Sequence, residues 1–171
     1  MTGTGIMETT QILTFKLGEG VFALDIAHVR EVLDFTTVTK VPRTPEFMRG
    51  VSNLRGNVVP VVDLRLMFGL SKTEKTIDTC IIITDVTVDG ENSVIGLLAD
   101  SVQEVLELDA GLIEPAPHIG MHLDTEFIMG MGKRDNTFII ILDIDRIFSA
   151  DQFAAVRAGQ VEAEKGERQI L

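Results

Sequence analysis

The amino-acid sequence predicts a mainly β protein: two small five-stranded barrels packed together and followed by a C-terminal helix. Three observations carry that prediction. They are an internal repeat, ten short strand-like segments separated by turn residues, and two runs that are apolar at every position.

Residues 21–42 slide onto 94–115 at an offset of 73, matching Val21/Val94, Leu24/Leu97, Val29/Val102, Glu31/Glu104, Val32/Val105, Leu33/Leu106 and Pro42/Pro115. Residues 46–68 slide onto 126–148 at an offset of 80, matching Glu46/Glu126, Phe47/Phe127, Gly50/Gly130, Asp63/Asp143 and Phe68/Phe148. Ordinary residue usage gives roughly three identities over such segments. The chain therefore reads as two copies of one unit.

In the first copy, residues 12–17, 21–26, 30–35, 50–54 and 58–62 are rich in β-branched or large apolar side chains and bounded by Gly, Pro, Asn or Asp, the composition of short strands. The second copy repeats the series at 79–86, 93–98, 102–108, 127–131 and 137–142. Gly18-Glu19-Gly20, Gly56-Asn57, Asp89-Gly90 and Asp135-Asn136 stand at the hairpin positions, where residues that tolerate positive φ are needed. Closing five short strands into a barrel removes their exposed edges.

The runs 58–62 and 138–142 have no polar position, so neither face of either strand is free to meet water. Because they occupy matching places in the two copies, one face is expected to fill each barrel and the other to form a shared interface. Pro60 cannot donate a ladder hydrogen bond, which places it at an edge or bulge.

Helices are few. Asp63 and Asp143 each follow an apolar run and read as N-caps of short helices ending near Phe68 and Phe148. Ser149 and Gln152 form a capping-box pattern that opens a terminal helix with Phe153 and Val156 facing inward. Past Gly159 the charged, weakly periodic tail predicts fraying. One domain is thus expected over 11–158, with a first barrel over about 20–70 and a second over about 80–145, an exchange of strands between the halves being left open. Residues 1–10 and 159–171 are expected to be flexible termini.

Composition narrows the function. Of the 171 residues 45% are hydrophobic, and a chain of this length buries roughly 70% of its unfolded surface. The formal charge of −11 repels phosphate backbones and anionic lipid heads, which argues against nucleic-acid and membrane-surface partners. The first basic residue is Lys16 and the longest purely apolar run is 138–142, so neither a signal peptide nor a spanning helix is expected and a cytoplasmic location is. Cys80, the one cysteine, sits in an apolar run and reads as an inert buried thiol.

A search for chemistry finds little. His118 and His122 have the i, i+4 spacing of helical zinc ligands, but Pro115, Pro117 and Gly120 make that segment a loop and no third ligand accompanies it. His28 has no serine or cysteine near it in a nucleophile context. Gly130-Met131-Gly132 lacks the third glycine of a dinucleotide loop, and no phosphate-binding loop exists. Asp143 and Asp145 match a cap and a solvated helix face. No cofactor and no metal are expected.

What remains is the stretch Asn53-Leu54-Arg55-Gly56-Asn57-Val58-Val59-Pro60-Val61-Val62-Asp63-Leu64-Arg65. It closely resembles the signature NLRG-x-V-x-P-x-VDLR of the CheW-like domain family, the coupling proteins of bacterial chemotaxis. The likeness continues through Phe15-Lys16-Leu17-Gly18, Asp25-Ile26, Val29-Arg30-Glu31-Val32, Thr44-Pro45, Gly50-Val51 and Glu114-Pro115-Ala116-Pro117, covering essentially residues 11–158.

The resemblance implies two SH3-like barrels around a common apolar interface. It also implies a non-enzymatic adaptor, recruited to membrane receptor arrays, that joins the cytoplasmic tip of a methyl-accepting chemoreceptor to the regulatory domain of the histidine kinase CheA. The sequence leaves no room for the kinase's own domains or for the receiver domain of CheV, so a stand-alone coupling domain is expected. By the same resemblance Val29, Glu31, Gly50, Asn53 and Arg55 fall on receptor-coupling positions, and Glu114, His118 and Ile119 fall where relatives contact kinase. Glu114 is a departure, since relatives carry a basic residue before Pro-Ala-Pro.

Plainer readings stand beside these. Arg55 next to Gly56-Asn57 is also a reasonable solvated turn arginine, Val29 a core residue, and Gly50 a supplier of backbone freedom. Glu31 has a counterpart in Glu104, whereas Asp135 stands at the repeat position of Arg55; the first copy thus looks to have kept a basic residue that the second lacks. Glu31 and Arg55 are expected to meet as an ion pair at the edge of the first barrel. Two alternatives stay open: the same adaptor in a non-flagellar pathway, and a small enzyme using carboxylates such as Asp63 and Asp143.

Overall fold

The computed structural model describes residues 9–109, 111, 113–114 and 127–170, with the side chains of the last helix described through residue 166. Among the described residues ten strands form in order: β1 (Thr9–Leu17), β2 (Gly20–Asp25), β3 (Val29–Asp34), β4 (Met48–Leu54), β5 (Asn57–Asp63), β6 (Cys80–Val88), β7 (Glu91–Ala99), β8 (Ser101–Asp109), β9 (Ile128–Arg134) and β10 (Thr137–Leu142). Each answers to one of the ten segments expected from sequence, with ends that differ by a few residues. Helices α1 (Leu64–Met67), α2 (Ile144–Ile147) and α3 (Ala150–Ile170) complete the chain.

The strands form two five-stranded sheets, β8-β1-β2-β10-β9 (sheet I) and β3-β6-β7-β5-β4 (sheet II). Pairing each element with its repeat partner (β1 with β6, β2 with β7, β3 with β8, β4 with β9, β5 with β10) turns one order into the other, so the two sheets are pseudo-symmetric. The chain-order halves 20–70 and 80–145 are not the sheets, however: sheet I takes β1 and β2 from the first copy and the rest from the second, and sheet II takes the complement. The exchange happens where the chain changes sheet. After β2, a 3-10 turn at Ile26–His28, capped by the Asp25 carboxylate accepting from the Ala27 N–H at 2.9 Å, delivers β3 to sheet II. After β7, the bend at Asp100 returns β8 to sheet I.

The two all-apolar runs behave as their patterning requires, with one exception. Val59 and Val61 point into a cluster with Ile81, Ile83 and Leu98 within sheet II, and Ile139 and Ile141 point into one with Ile12 and Ala23 within sheet I. On the opposite faces Val62 and Leu142 join a core shared between the sheets, with Phe15, Leu24, Ile82 and Leu97. Fully burying each such side chain contributes about 1.5–3 kcal/mol. Phe138, at the open end of its run, is the exception and is 53% exposed.

Pro60 departs from expectation in a second way, because β5 is an interior strand of sheet II. It is tolerated there by register. Pro60 faces Val51 of β4, whose N–H and C=O are both engaged with Thr39 at 2.8 Å on the other side. Pro60 therefore has no ladder bond to give toward β4, and pairing with β7 begins only at Val61.

Both caps form as read. Asp63 accepts from the Arg65 N–H at 3.0 Å and Asp143 from the Asp145 N–H at 3.2 Å, and in each copy the aspartate N–H donates to a phenylalanine carbonyl, Phe47 or Phe127, at 2.7 Å. Ser149 and Gln152 exchange side-chain-to-backbone hydrogen bonds at 3.0 and 3.1 Å, a closed capping box. The expected fraying past Gly159 is not what the structure has, since α3 runs on to Ile170. Tertiary contacts override the weak periodicity: Gly159 is buried against Met48 and Thr44, and the Gln160 amide donates to the Val58 carbonyl at 3.0 Å.

Candidate functional site

Strands β3 and β4 are the two outer strands of sheet II, and five of the residues singled out from sequence lie on them or on the turn that follows β4. Hairpin β4–β5 turns through Arg55 and Gly56, both with positive φ (52° and 85°). The Asn53 Oδ1 accepts from the Gly56 N–H at 2.9 Å, holding a left-handed arginine that would otherwise be strained. The Arg55 guanidinium thereby reaches across to Glu31 on β3, donating to its two carboxylate oxygens at 2.7 and 2.8 Å. This is the expected ion pair, and its two-pronged geometry is the directional form of such contacts. Hydrogen bonding from Arg55 holds the Glu31 carboxyl below the usual carboxylate range, and Glu31 in turn raises the arginine.

Val29 and Gly50 are less superficial. Val29 opens β3 half-buried against the shared core. Gly50 is buried, takes φ +145°, and lies so close to the Thr39 carbonyl that a Cβ would run into it. Its repeat partner Gly130 is closed in the same way, a Cβ there coming within 2.9 Å of the Glu114 carbonyl. A structural duty common to both copies thus explains Gly50. Next to the Glu31–Arg55 pair lies a cleft of about 390 Å³ whose walls include Arg30, Val58, Asn92, Arg157 and Gln160. Arg30 is itself clamped by Asp85, with Nε 2.9 Å from both carboxylate oxygens.

Of the kinase-side candidates, Glu114 lies against the other sheet. Glu114 is exposed and pairs with Met131 at the outer edge of β9, N–H to carbonyl at 2.8 and 2.7 Å. His118 and Ile119 lie outside the described residues.

One inference from sequence is corrected by the structure. Asp135 does occupy the repeat position of Arg55, yet Arg134 one residue earlier forms an ion pair with Glu104, the counterpart of Glu31. The basic residue has moved along the hairpin by one position, and its exposed side chain spans the difference. Both sheets therefore carry an edge-to-hairpin glutamate–arginine pair, and the apparent asymmetry vanishes. The Glu31/Glu104 identity was the signal for it.

Asp63 is fully buried, and its oxygens accept from the Arg65 N–H, the Thr73 N–H at 2.9 Å, the Thr73 hydroxyl at 2.7 Å and Arg49 at 3.2 Å. Cys80 is half-buried rather than buried, and desolvation pushes its thiol up, away from thiolate reactivity. Among the described residues no group of three or more His, Cys, Asp or Glu is placed to hold a metal ion, and no helix is long and apolar enough to cross a membrane.

A duplicated pair of sheets, with salt-bridged edges for surface and its buried carboxylate consumed by caps and loops, defines a scaffold module. The chain belongs to the CheW-like domain family, whose model matches residues 11–152. It is 35% identical over 146 residues to the chemotaxis protein CheW of Klebsiella aerogenes, covering 85% of this chain and 86% of that one. It is 32% identical over 145 residues to a probable chemotaxis protein CheW of Rhizobium etli, covering 85% and 91%. Among solved structures, the scaffolding protein TtCheW of Thermoanaerobacter tengcongensis superposes with a TM-score of 0.74 at 39% identity, covering 85% of this chain and 96% of that one.

Proposed function

We propose that this protein is a non-enzymatic adaptor that couples the cytoplasmic tip of a methyl-accepting chemoreceptor to the regulatory domain of the histidine kinase CheA within a chemosensory array. The observation that carries the reading is the Glu31–Arg55 pair, posed by Asn53 on the hairpin of sheet II, in a chain of the CheW-like family. The receptor surface comprises Val29, Glu31, Asn53 and Arg55, with Gly50 supporting it from beneath. The kinase surface comprises Glu114, His118 and Ile119, Glu114 standing at the edge of sheet I. Carboxylate chemistry at Asp63 is disfavoured, because its oxygens are saturated with hydrogen bonds in a site closed to solvent.

Exposed ion pairs add little to stability and more to orientation and partner choice. Arg55→Ala is thus expected to leave the thermal midpoint nearly unchanged while weakening receptor coupling. Individual contacts are expected in the micromolar range, about −8 kcal/mol, with the array supplying strength through multiplicity. The test mixes the protein with receptor-bearing membranes and kinase and follows kinase autophosphorylation. Val29→Asp should abolish activation while keeping binary kinase binding, and Ile119→Asp should do the reverse. Failure of the unmodified protein to activate a cognate pair, or loss of the same contact in both variants, overturns the reading.

A further inference from the structure

The two sheets are joined by more than their apolar core. Arg65, on α1 directly after β5 of sheet II, extends three donors. Its Nε reaches the Ser71 carbonyl at 2.8 Å, one terminal nitrogen the Ser71 hydroxyl at 2.9 Å, and the other the Asp100 carboxylate at 2.8 Å. Asp100 stands where the chain leaves sheet II for sheet I. Its backbone N–H donates to the Lys16 carbonyl of β1 at 2.9 Å, and the oxygen that receives Arg65 also accepts from the Gly18 N–H, in the β1–β2 turn, at 2.6 Å. One carboxylate oxygen thus links the helix after sheet II to the hairpin of sheet I.

The repeat places a second link at the pseudo-symmetric position. Asp145 of α2, the repeat partner of Arg65, accepts from the Thr87 N–H near the end of β6 at 2.8 Å, tying the helix after sheet I to a hairpin of sheet II. The two links use different chemistry, an arginine–carboxylate bridge in one copy and a carboxylate–amide bond in the other. Their placement is nonetheless equivalent. The Arg65–Asp100 pair is partly buried, with side chains 20% and 26% exposed, so it is less screened than the edge pairs.

We propose that Arg65 and Asp145 are positioning residues that fix the angle between the two sheets, Arg65 acting through Asp100. This inference rests on the adaptor reading, because an adaptor with one partner on each sheet transmits only as faithfully as the sheets hold their relative orientation. An apolar interface is non-directional and tolerates small rotations, whereas a hydrogen bond weakens steeply as its angle changes. Two such links on opposite hairpins suffice to select one angle.

The test places spin labels at Asp34→Cys on β3 and Gln103→Cys on β8 in a Cys80→Ser background, and measures the inter-label distance distribution of the full chain. Arg65→Ala, Asp100→Ala and Asp145→Ala, which remove the donor or the acceptor oxygens outright, should broaden that distribution by at least half while far-UV circular dichroism is unchanged. The same variants should cut kinase activation severalfold in the receptor–kinase mixture while each binary binding constant changes less than twofold. The exchanged pair Arg65→Asp with Asp100→Arg should recover part of both. An unchanged distribution in Asp100→Ala and Asp145→Ala overturns the inference, as does a broadened one with full activation. If the unmodified protein fails to activate kinase, the adaptor reading falls, and the distance measurement still decides whether the links set the angle.

Discussion

Gly50 and Glu31 sit on opposite outer strands of sheet II and matter for different reasons. At Gly50 the backbone conformation and the neighbouring Thr39 carbonyl both exclude a side chain, so Gly50→Ala combines strain with a clash against main chain. We expect it to cost about 2–4 kcal/mol, read from the midpoint of denaturant unfolding; a variant as stable as the parent would contradict this. At Glu31 the effect is electrostatic. Its carboxyl is held low by Arg55, so the pair contributes at pH above the unfolded-state value and is lost only as pH falls through the depressed folded-state value. The pair accordingly stays closed throughout the neutral range. In a carbon-detected NMR titration Glu31 should protonate below a free glutamate, and Arg55→Ala should move it back up. A midpoint at or above that of a free glutamate in the parent would refute the assignment.

Helix α3 is the element whose reach the sequence understated. Its first turns are anchored by Phe153 and Val156 in the shared core, 4% and 0% exposed, and its middle by Gly159 and Gln160 against β4 and β5. Phe153→Ala is expected to cost about 3–5 kcal/mol through the cavity it leaves, measured by thermal or denaturant melting. Ser149→Ala, which removes half of the capping box, is expected to cost about 1 kcal/mol. If the two losses proved equal, core anchoring of the helix would be the wrong account. The cap was legible because Ser149 and Gln152 have the required spacing. The continuation past Gly159 was not, because it depends on residues of β4 and β5 roughly a hundred positions upstream.

At the scale of the molecule, strand exchange has a thermodynamic consequence. Neither sheet can be completed from one half of the chain, so neither half can bury its apolar faces alone. Unfolding should be a single transition, coincident by near- and far-UV circular dichroism. A fragment of residues 1–77 should show no cooperative melt, while its mixture with residues 78–171 should recover native-like dichroism. A cooperatively folded 1–77 fragment would show that the halves are independent after all.

The sequence by itself determined the strands, the caps, the duplication and the family, because each is written in local chemistry or in alignment along one chain: alternation and apolar runs, Asp and Ser at helix starts, positive-φ residues at hairpins. It also placed Glu31 and Arg55 together, through the resemblance and the order of the strands. Only the tertiary structure decided which copy of each strand completes which sheet, since equivalent strands offer nearly the same apolar pattern to either site and the choice lies in the crossovers at residues 26–28 and 100. Likewise only the structure revealed the Arg134–Glu104 pair and the Arg65–Asp100 link. A long side chain covers a one-residue shift that an alignment reads as a loss, and a contact between residues 35 positions apart leaves no trace in spacing.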